Sequence, residues 1–384
     1  MKIGIDARII FRRGVGRYIS NLVKNLLEID RENTYYIYLD KNSILKEYIE
    51  ANNCKIKRLK TSNAFLYEQF FLPSLAAKDG IDILHSTDNT CPYLTGIFKN
   101  KIVLTIHDTM FVRPINRVIL KPTLKQRFLD IYKKIGIPLS AKRADHIITV
   151  SEYSKQDIIR YLKVKEEKVT VIYEAVDKKY RVINDEKAKK NMKEKYKIIK
   201  PYILITAASD LRKNTARAIE AFNIFNNITG YKYQLVITSI DYKELKTTNI
   251  IDKIKELNLE KYVIITGYVS DDDMVLLYNC AGVFLFPSIW EGFGLQVLEA
   301  FASGCPVITS DNTSLKEIAK DAAIFVNPFM VDDIVRGLLE MEKNDEKKRE
   351  LIQKGFERLK DFSWRETAKK TIEVYKKTIG QNNE

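Results

Sequence analysis

Short apolar segments alternate with amphipathic ones along most of the chain, and this pattern predicts parallel β-sheets covered by helices. Apolar residues at helical spacing between Ile19 and Leu27 predict the first helix, and Ser151 is a suitable N-cap for another helix that runs through Tyr161. In the first half of the chain, seven strands are predicted, at residues 2–7, 35–39, 54–59, 81–85, 102–107, 146–150 and 169–173.

A second alternating series follows a polar, highly charged segment at residues 178–200, which we interpret as a partly helical connection between domains. Six strands are predicted after it, at residues 202–206, 234–238, 263–266, 283–286, 307–309 and 324–326. The chain is long enough for two domains of ordinary size. The pattern therefore predicts an α/β fold with two Rossmann-like domains, residues 1–177 and 178–363, that face one another across a cleft.

The composition is that of a globular protein in a reducing compartment. Hydrophobic residues make up 45% of the chain and charged residues 30%. No run of about 18 apolar residues is present and the N-terminus resembles a strand rather than a signal peptide, so neither a transmembrane helix nor secretion is expected. Four cysteines without CxxC spacing argue against a disulfide framework or a structural metal. The predicted location is the cytoplasm.

Half of the net charge of +14 lies in one part of the chain. Between residues 117 and 143, the single acid Asp130 is accompanied by eight basic residues: Arg117, Lys121, Lys125, Arg127, Lys133, Lys134, Lys142 and Arg143. Apolar residues are interleaved with them, as in an amphipathic helix on anionic headgroups at the inner face of a membrane. An ordinary solvated helix face would show the same pattern, so both interpretations stay open.

The most informative segment runs from residue 283 to residue 308. A buried strand ends at Pro287, two glycines mark a loop, and a helix is predicted to start near Leu295. The free N–H groups of a helix N-terminus bind phosphate or diphosphate well. Glu291 and Glu299 frame this unit, and carboxylates beside a phosphate site are suited to accept hydrogen bonds from sugar hydroxyls. The segment therefore predicts a nucleotide-sugar pocket.

Further candidate residues follow predicted strands, at the edge where open α/β sheets bind ligands. Arg212 and Lys213 are adjacent cations that would stabilise the negative charge of a leaving diphosphate. His107, followed by Asp108, could bond a donor hydroxyl or assist proton movement, or it could be a structural histidine. His85 ends a strand and could line the acceptor side.

Other motifs, taken alone, are weaker evidence for a functional site. Gly14-Val-Gly-Arg17 is a fragment of GxGxxG, and a tight turn between strand and helix would also explain it. Asp271-Asp-Asp273 has the form of a metal-binding Asp-x-Asp motif, but we interpret it as a helix N-terminus, where negative charge is favoured, and expect no metal. His146 lies in an apolar strand and is interpreted as structural.

Glu291-x7-Glu299 lies within Pro-Ser-x-x-Glu-Gly-Phe-Gly-Leu-x-x-Leu-Glu-Ala-x-Ala-x-Gly-x-Pro-Val-Ile, which resembles the signature of the retaining GT-B glycosyltransferases of family four, also called group 1. The resemblance extends from Lys2 to about Lys377. It implies an N-terminal acceptor-binding domain, a C-terminal donor-binding domain, and a last helix, residues 364–384, that returns to the N-terminal domain. It also implies that no metal cofactor is needed and that the acceptor attacks from the face that the nucleotide leaves.

The resemblance also implies roles for individual residues. Glu291 would position hydroxyls of the donor sugar, and His107 and Asp108 would lie near that sugar and the acceptor hydroxyl. Arg212 and Lys213 would stabilise the diphosphate. The remaining implied donor-binding residues are Gly14, Gly16, Arg17, Gly267, Tyr268 beside the base, Gly292, Phe293, Gly294, Leu295, and Glu299 at the ribose.

The chain departs from the family pattern in two places. Ala207 and Ala208 stand where many relatives have glycine and some have arginine, which leaves more of the charge stabilisation to the two adjacent cations. Glu174 and Ala175 stand in the place of an Asn-Gly turn, and we interpret this change as one that concerns the interdomain turn rather than the reaction.

The opening elements Gly-Ile-Asp-Ala-Arg and Gly-Val-Gly-Arg-Tyr, with Ile-His-Asp, look most like those of bacterial polysaccharide or lipopolysaccharide mannosyltransferases. The implied function is transfer of mannose from GDP-mannose to a hydroxyl of a glycan or lipid-linked acceptor. One alternative is a nucleotide-sugar epimerase of the same fold, which would turn over its substrate without an acceptor. Another is a basic nucleic-acid-binding protein, whose binding would fall steeply with salt, although no zinc, helix-turn-helix or RNP-type motif supports it.

Overall fold

The computed structural model describes residues 1–11, 14–40, 52–59, 61, 63–94, 96, 98–113 and 124–380, apart from the side chains of residues 125, 126 and 242. The chain divides into two compact units. The first unit comprises Met1–Asn116, Leu124–Glu174 and Ser363–Glu384, and the second contains Ala175–Phe362. Each unit is built around its own parallel sheet.

The sheet of the first unit has seven strands in the order β3-β2-β1-β4-β5-β6-β7. Their bounds are β1 (Lys2–Asp6), β2 (Thr34–Leu39), β3 (Cys54–Arg58), β4 (Ile83–Ser86), β5 (Lys101–Ile106), β6 (His146–Thr149) and β7 (Val169–Val171). All seven predicted strands are confirmed. Inner strands such as β1, β5 and β6 are largely buried and form nearly continuous apolar runs, whereas the edge strand β3 is mostly exposed and rich in lysine.

In the described part of residues 1–174, five α-helices accompany these strands: α1 (Val15–Ile29), α2 (Ala64–Leu66), α3 (Leu72–Asp79), α4 (Leu124–Arg143) and α5 (Glu152–Leu162). Of the basic residues named between residues 117 and 143, Arg117 and Lys121 lie outside the described residues, as does the side chain of Lys125. A π-helix, Tyr67–Phe71, joins α2 to α3. The predicted apolar stripe of α1 is buried from Ile19 to Leu27. The predicted N-cap of α5 is also confirmed, because the Ser151 side chain accepts a hydrogen bond from the Ser154 amide.

The second unit contains a six-stranded parallel sheet in the order β10-β9-β8-β11-β12-β13. Its strands are β8 (Tyr202–Thr206), β9 (Gln234–Thr238), β10 (Val263–Gly267), β11 (Val283–Phe286), β12 (Val307–Ser310) and β13 (Ala323–Val326), so these predictions are confirmed too. The strand order reverses between β8 and β11, and ligands of open α/β sheets bind at the carboxyl ends of strands at such a switch point.

The helices of the second unit are α6 (Glu186–Lys195), α7 (Thr215–Ile228), α8 (Tyr242–Leu245), α9 (Ile250–Glu256), α10 (Asp271–Cys280), α11 (Leu295–Ala302), α12 (Thr313–Ala319), α13 (Val331–Lys343) and α14 (Asp345–Arg358). The charged segment that includes α6 packs on α10, since the Lys195 Nζ atom lies 2.6 Å from the Asp273 carboxylate. The prediction that Asp271-Asp-Asp273 is a helix N-terminus is confirmed, with Ser270 as the N-cap.

The last helix, α15 (Trp364–Ile379), belongs to the first unit and packs against α1. Its Tyr375 hydroxyl lies 2.7 Å from the His85 Nδ1 atom, and the Thr367 hydroxyl donates to the Tyr173 carbonyl at 2.7 Å. The first unit is therefore assembled from both ends of the described sequence. Among the helices of the described residues, none is long and apolar enough to cross a bilayer.

Candidate active site

Two loops at the switch point of the second sheet bring Arg212, Lys213 and Glu291 together. The cations lie in a short 3₁₀ helix, Leu211–Lys213, which follows β8, and Glu291 follows the neighbouring strand β11. The Asp210 side chain caps the 3₁₀ helix by accepting a hydrogen bond from the Arg212 amide. The cations and the carboxylate, predicted separately from the sequence, therefore form one cluster.

Glu291 is the centre of this cluster. Its Oε1 atom accepts hydrogen bonds from Lys213 Nζ at 2.8 Å and from Ser288 Oγ at 2.7 Å. Its Oε2 atom accepts one from Arg212 Nη1 at 3.0 Å, and Arg212 Nε donates to Asp210 Oδ2 at 2.9 Å. Two cations thus face two carboxylates, so these side chains carry no net formal charge in this arrangement.

The electrostatics keep Glu291 ionised. The carboxylate is 7% exposed, and burial alone would raise its pKa, but the charges of Lys213 and Arg212 outweigh burial and lower the pKa to about 2. Burial also lowers the pKa of Lys213, although Glu291 opposes this effect. A carboxylate with such a low pKa only accepts hydrogen bonds at neutral pH, which suits a ligand that offers hydroxyl groups.

A second layer of residues fixes the Glu291 loop. The Ser314 hydroxyl lies 3.0 Å from the Glu291 carbonyl and 2.9 Å from the Phe293 carbonyl. Asn214, with a φ of 59°, donates its side-chain amide to the Pro287 carbonyl at 3.0 Å. Neither role is predictable from the sequence, since the partners of Ser314 and Asn214 are distant in the chain.

Gly294 caps α11 at a φ of 105°, and a Cβ atom there would lie 2.7 Å from a Leu315 methyl carbon. We expect Gly294→Ala to destabilise the second unit by about 1–3 kcal/mol, because alanine is strained at this φ and the buried leucine must move. The measurement is the urea midpoint of unfolding. Gly230→Ala is the matched control, since Gly230 also has a positive φ, 66°, but nothing within 4 Å of a Cβ. Equal losses in the two variants would show that the contact with Leu315 contributes nothing.

The other predicted donor-binding residues of the second unit differ in how far they are exposed. Glu299, on α11, is 3% exposed and its Oε2 atom lies 3.3 Å from the Tyr278 hydroxyl. The Phe293 side chain is buried against Phe362, so only its backbone is available to a ligand. Tyr268 is about half exposed. Gly267 ends β10, Gly292 lies in the loop after β11, and Leu295 begins α11; their contacts with a ligand stay predictions.

In the first unit, His107 follows β5 and is buried with both ring nitrogens beside acceptors. Its Nδ1 atom is 3.2 Å from Glu174 Oε1, and its Nε2 atom is 3.0 Å from the Thr87 carbonyl oxygen. The Tyr18 ring packs edge-on at 4.8 Å between centroids. Because a carboxylate and a carbonyl only accept hydrogen bonds, this geometry favours an imidazolium with two N–H donors.

Glu174 therefore matters to a predicted site residue. Burial alone would lower the pKa of His107, but the hydrogen bond and the charge of Glu174 raise it above its ordinary value. The interpretation that the change at Glu174 concerns only a turn was incomplete, because its side chain reaches His107. Asp108 is half-buried, and its carboxylate accepts a hydrogen bond from the Met110 amide at 3.1 Å.

The predicted acceptor-side role of His85 is wrong. The side chain has no exposed surface, and its two nitrogens contact Tyr375 and the Thr105 hydroxyl, each at 2.7 Å. Burial lowers the pKa of His85 to about 3, so the ring is a neutral core group. His146 is a structural histidine as predicted, and its Nε2 atom lies 2.8 Å from the Thr170 hydroxyl.

Gly14 and Gly16, at the start of α1, differ in how closely other atoms approach them. A Cβ atom at Gly16 would lie 2.7 Å from the Ile9 carbonyl oxygen, so close packing of the turn requires glycine there. Gly14, at a φ of 70°, has no atom of the described residues within 4 Å of a Cβ position. The predicted donor contacts of both glycines, and of Arg17, stay predictions.

A buried polar cluster at the end of β1 was not predicted from the sequence. Arg8 pairs with Glu68 and, at 3.3 Å, with Asp6, while the Tyr132 hydroxyl donates to Glu68. Burial, more than any charge, raises the pKa of Asp6 to about 6. Asp88, paired with Lys133 at 3.4 Å, follows the adjacent strand β4. The polar residues of the first unit thus also gather at the carboxyl edge of its sheet.

Comparisons with known proteins agree with this arrangement. The family model described as "Glycosyl transferases group 1" matches residues 182–358, and the model "Glycosyltransferase Family 4" matches residues 12–180. The chain is 29% identical to the serotype-specific mannosyltransferase WbdA of Escherichia coli, over 74% of this chain and 34% of that protein. It is 29% identical to the O-antigen chain mannosyltransferase RfbU of Salmonella typhimurium, over 73% of this chain and 70% of that protein.

The match thus spans about a third of the length of WbdA. Among solved structures, the chain is similar to HepE of Anabaena in complex with UDP and glucose, with a TM-score of 0.77 and 14% identity. The similarity covers 98% of this chain and 100% of that chain. At this level of identity it shows the fold alone, and the predicted GT-B fold class is confirmed.

Proposed function

Because the chain belongs to the group 1 glycosyltransferases of family four, we propose that it transfers a sugar from a nucleotide-diphosphate donor to an acceptor hydroxyl. The observation that carries this proposal is the convergence of Arg212, Lys213 and Glu291 at the switch point of the second sheet. The two cations suit a leaving diphosphate, and the ionised carboxylate suits the hydroxyls of a sugar.

In the proposed reaction, the acceptor oxygen bonds to the anomeric carbon of the donor as the bond from that carbon to the diphosphate oxygen breaks. The acceptor proton passes to the leaving diphosphate on the same face, so the configuration is retained. Negative charge grows on the diphosphate as the bond breaks, and Lys213, Arg212 and the N–H groups of the first turn of α11 stabilise it.

No metal cofactor is assigned to this proposed reaction, because the two cations supply positive charge where the diphosphate leaves. Asp271 and Asp273 are engaged elsewhere, since each carboxylate lies 2.6 Å from a lysine of the second unit, Lys179 and Lys195 respectively. The acceptor is assigned to the first unit, where Asp88 and Asp108 follow strands at the edge of the sheet.

The donor that we propose is GDP-mannose, and the acceptor is a glycan or lipid-linked glycan used for cell-surface polysaccharide on the cytoplasmic side of the membrane. Support for mannose comes from the relatives, since WbdA and RfbU are both named mannosyltransferases. HepE, by contrast, was solved with UDP and glucose, so the base and the sugar both require a direct test.

Incubation of the purified chain with GDP-mannose, UDP-glucose, UDP-galactose and ADP-glucose, each with and without EDTA, tests this proposal. Released nucleotide and sugar are measured by mass spectrometry, with Glu291→Gln as the inactive control. We expect slow release from GDP-mannose, unaffected by EDTA and absent in the control. Release from a UDP-sugar would contradict the choice of donor but not the reaction class.

An inhibitory effect of EDTA would contradict metal independence. Conversion of the donor to a different sugar nucleotide without release would favour the epimerase alternative. If no donor reacts, calorimetric titration with GDP, UDP and ADP decides the matter, because failure to bind any of them would contradict the whole proposal. Retention is tested separately, by NMR of the anomeric proton in the product of an accepted glycoside.

A further inference from the structure

A tyrosine and a glutamate meet on the loops that follow β9 and β10. Tyr268 comes directly after β10, and Glu244 lies in α8, which follows β9. The Tyr268 hydroxyl donates a hydrogen bond to Glu244 Oε2 at 3.0 Å. The backbones of the two loops are joined as well, since the Ser239 amide donates to the Gly267 carbonyl at 3.1 Å. The contact therefore belongs to two loops that the sheet holds side by side.

The strand order places this pair on the same edge of the sheet as the Glu291 cluster. β10, β9 and β8 are consecutive parallel strands, and Arg212 and Lys213 follow β8. Neighbouring strands lie about 4.8 Å apart, so β10 and β8 are separated by roughly 10 Å. The base of a nucleotide is joined to its phosphates through the ribose. A separation of this order therefore lets one ligand place its diphosphate at the cluster and its base at the pair.

The carboxylate of Glu244 is held from two sides. Glu244 and Asp241 form a capping box at the start of α8, in which Glu244 Oε2 accepts a hydrogen bond from the Asp241 amide at 3.4 Å. Tyr268 donates to the same oxygen. These two hydrogen bonds take two of the roughly four acceptor positions of a carboxylate. Tyr268 is 49% exposed and Glu244 is half-buried, so a ligand can reach the pair.

Guanine has the hydrogen-bonding edge that fits a carboxylate. Its N1–H and N2–H₂ groups are adjacent donors, and the two oxygens of a carboxylate can accept from them side by side. On the same edge, adenine has one donor group beside an acceptor nitrogen, and uracil has one N–H between two carbonyl acceptors. A carboxylate that faces the base therefore favours guanine over both.

We propose that Glu244 selects guanine by accepting hydrogen bonds from N1–H and N2–H₂, and that the Tyr268 hydroxyl is a positioning group for the Glu244 carboxylate. This inference rests on the proposed function. It deepens that proposal by naming the residue that distinguishes a GDP-sugar from a UDP- or ADP-sugar. The family resemblance placed Tyr268 beside the base but gave Glu244 no role.

The experiment is calorimetric titration of the full chain with nucleoside diphosphates, without sugar or acceptor. The ligands are GDP, UDP, ADP, inosine diphosphate (IDP), whose base lacks the N2 amino group, and xanthosine diphosphate (XDP), whose base has a carbonyl oxygen at C2. The main variant is Glu244→Gln, which keeps the side-chain length and the capping box, because glutamine also serves in that motif.

Glu342→Gln is the matched control. Glu342 also accepts a hydrogen bond from a tyrosine hydroxyl, that of Tyr233 at 3.3 Å. Tyr233 precedes β9, so this pair lies at the opposite edge of the same sheet. Both substitutions exchange a carboxylate for an amide of the same size, and unchanged circular dichroism and melting temperature would confirm that the variants are folded.

The unchanged chain should bind GDP about 10- to 100-fold more tightly than IDP, which is the usual effect of one hydrogen bond to a charged acceptor. XDP should bind more weakly still, because its C2 oxygen would face a carboxylate. Glu244→Gln should bind GDP at least about tenfold more weakly and XDP at least about tenfold more tightly, since the glutamine amide can accept from N1–H and donate to the C2 oxygen. Glu342→Gln should keep the original order of affinities.

Tyr268→Phe tests the positioning role of the hydroxyl. This variant keeps the ring, so the ratio of GDP to IDP affinity should fall while the affinity for IDP stays nearly the same. A loss of the same factor for both ligands would contradict the positioning role, because the hydroxyl would then support binding without regard to the N2 amino group.

A change of preference from GDP to XDP in Glu244→Gln would support the proposal, since a helix cap alone predicts no such change. Unaltered ratios among GDP, IDP and XDP in that variant would overturn it and leave Glu244 as a cap. Tighter binding of UDP or ADP than of GDP would overturn the selection of guanine but not the proposed reaction. Failure of every nucleotide to bind would contradict the proposed function, and this inference with it.

Discussion

Replacement of Lys213 by glutamine should lower kcat with the cognate sugar nucleotide by about 100- to 1,000-fold, which is the usual effect of removing one preorganised group that stabilises transition-state charge. The Lys213 ammonium lies in a buried cluster, 2.8 Å from Glu291, where an electrostatic interaction is much stronger than in water. KM should change less than kcat, because the charge on the diphosphate grows as the sugar–phosphate bond breaks.

Single-turnover rates separate this effect from slow product release. Lys232→Gln is the matched control, because Lys232 also contacts a glutamate, Glu342 at 3.0 Å, but on an exposed surface of the same unit. The control should keep its activity. An Lys213→Gln variant with normal kcat and a raised KM would contradict the assignment, since the lysine would then bind the ground state and transition state equally.

Glu174→Gln should lower the pKa of His107, because it removes the charge that opposes burial. In the unchanged chain, the pKa of His107 in the folded state lies above its ordinary value of 6.5. The imidazolium–carboxylate pair therefore stabilises the fold below pH 6.5, and this stabilisation is lost as the pH rises through the folded pKa. In the variant, burial dominates and the ring becomes neutral near neutral pH.

Proton NMR of the imidazole signals measures this directly, because the chain has only three histidines. Burial places the pKa of His85 at about 3 and that of His146 at about 4, so neither signal should titrate near pH 7. Glu167→Gln, at an exposed carboxylate, is the control and should leave the His107 titration unchanged. An unaltered midpoint in Glu174→Gln would contradict the pairing.

The enzymatic consequence is a shift of the pH profile. If the imidazolium form of His107 supports transfer, the alkaline limb of kcat/KM should move to lower pH in Glu174→Gln by the same amount as the NMR midpoint. Compared with Glu174→Gln, Glu174→Asp should move the profile less, because aspartate keeps the negative charge but its shorter side chain holds that charge farther from His107. A lower rate with an unchanged pH profile of kcat/KM would mean that Glu174 has only a structural role.

The strands were predictable because parallel strands buried on both faces form unbroken apolar runs, of which Tyr202–Thr206 is one. The cluster around Glu291 was predictable in composition, since its residues follow such runs. The sequence does not reveal that β8 and β11 are neighbours, and this adjacency is what sets Lys213 2.8 Å from Glu291. The resemblance to a known family, and not the spacing of apolar residues, assigned Lys213 and Glu291 to the same site.

The errors have a common physical origin, which is contact between residues far apart in the chain. His85 ends a predicted strand, as a ligand-binding residue would, but Tyr375, 290 residues later, covers it. The change at Glu174 resembled a local variation in a turn, but its partner His107 lies 67 residues earlier. Burial and pairing of this kind depend on tertiary packing, which local patterns do not encode.

The position of α15 has a consequence for the order in which the protein forms during translation. The ribosome completes all seven strands of the first unit before it reaches residue 200, but the helix that covers Tyr18 and His85 is made after the whole second unit. Part of the core of the nascent first unit therefore stays uncovered while the second unit is synthesised and folds. The half of the protein that is translated first is therefore the half whose packing is completed last.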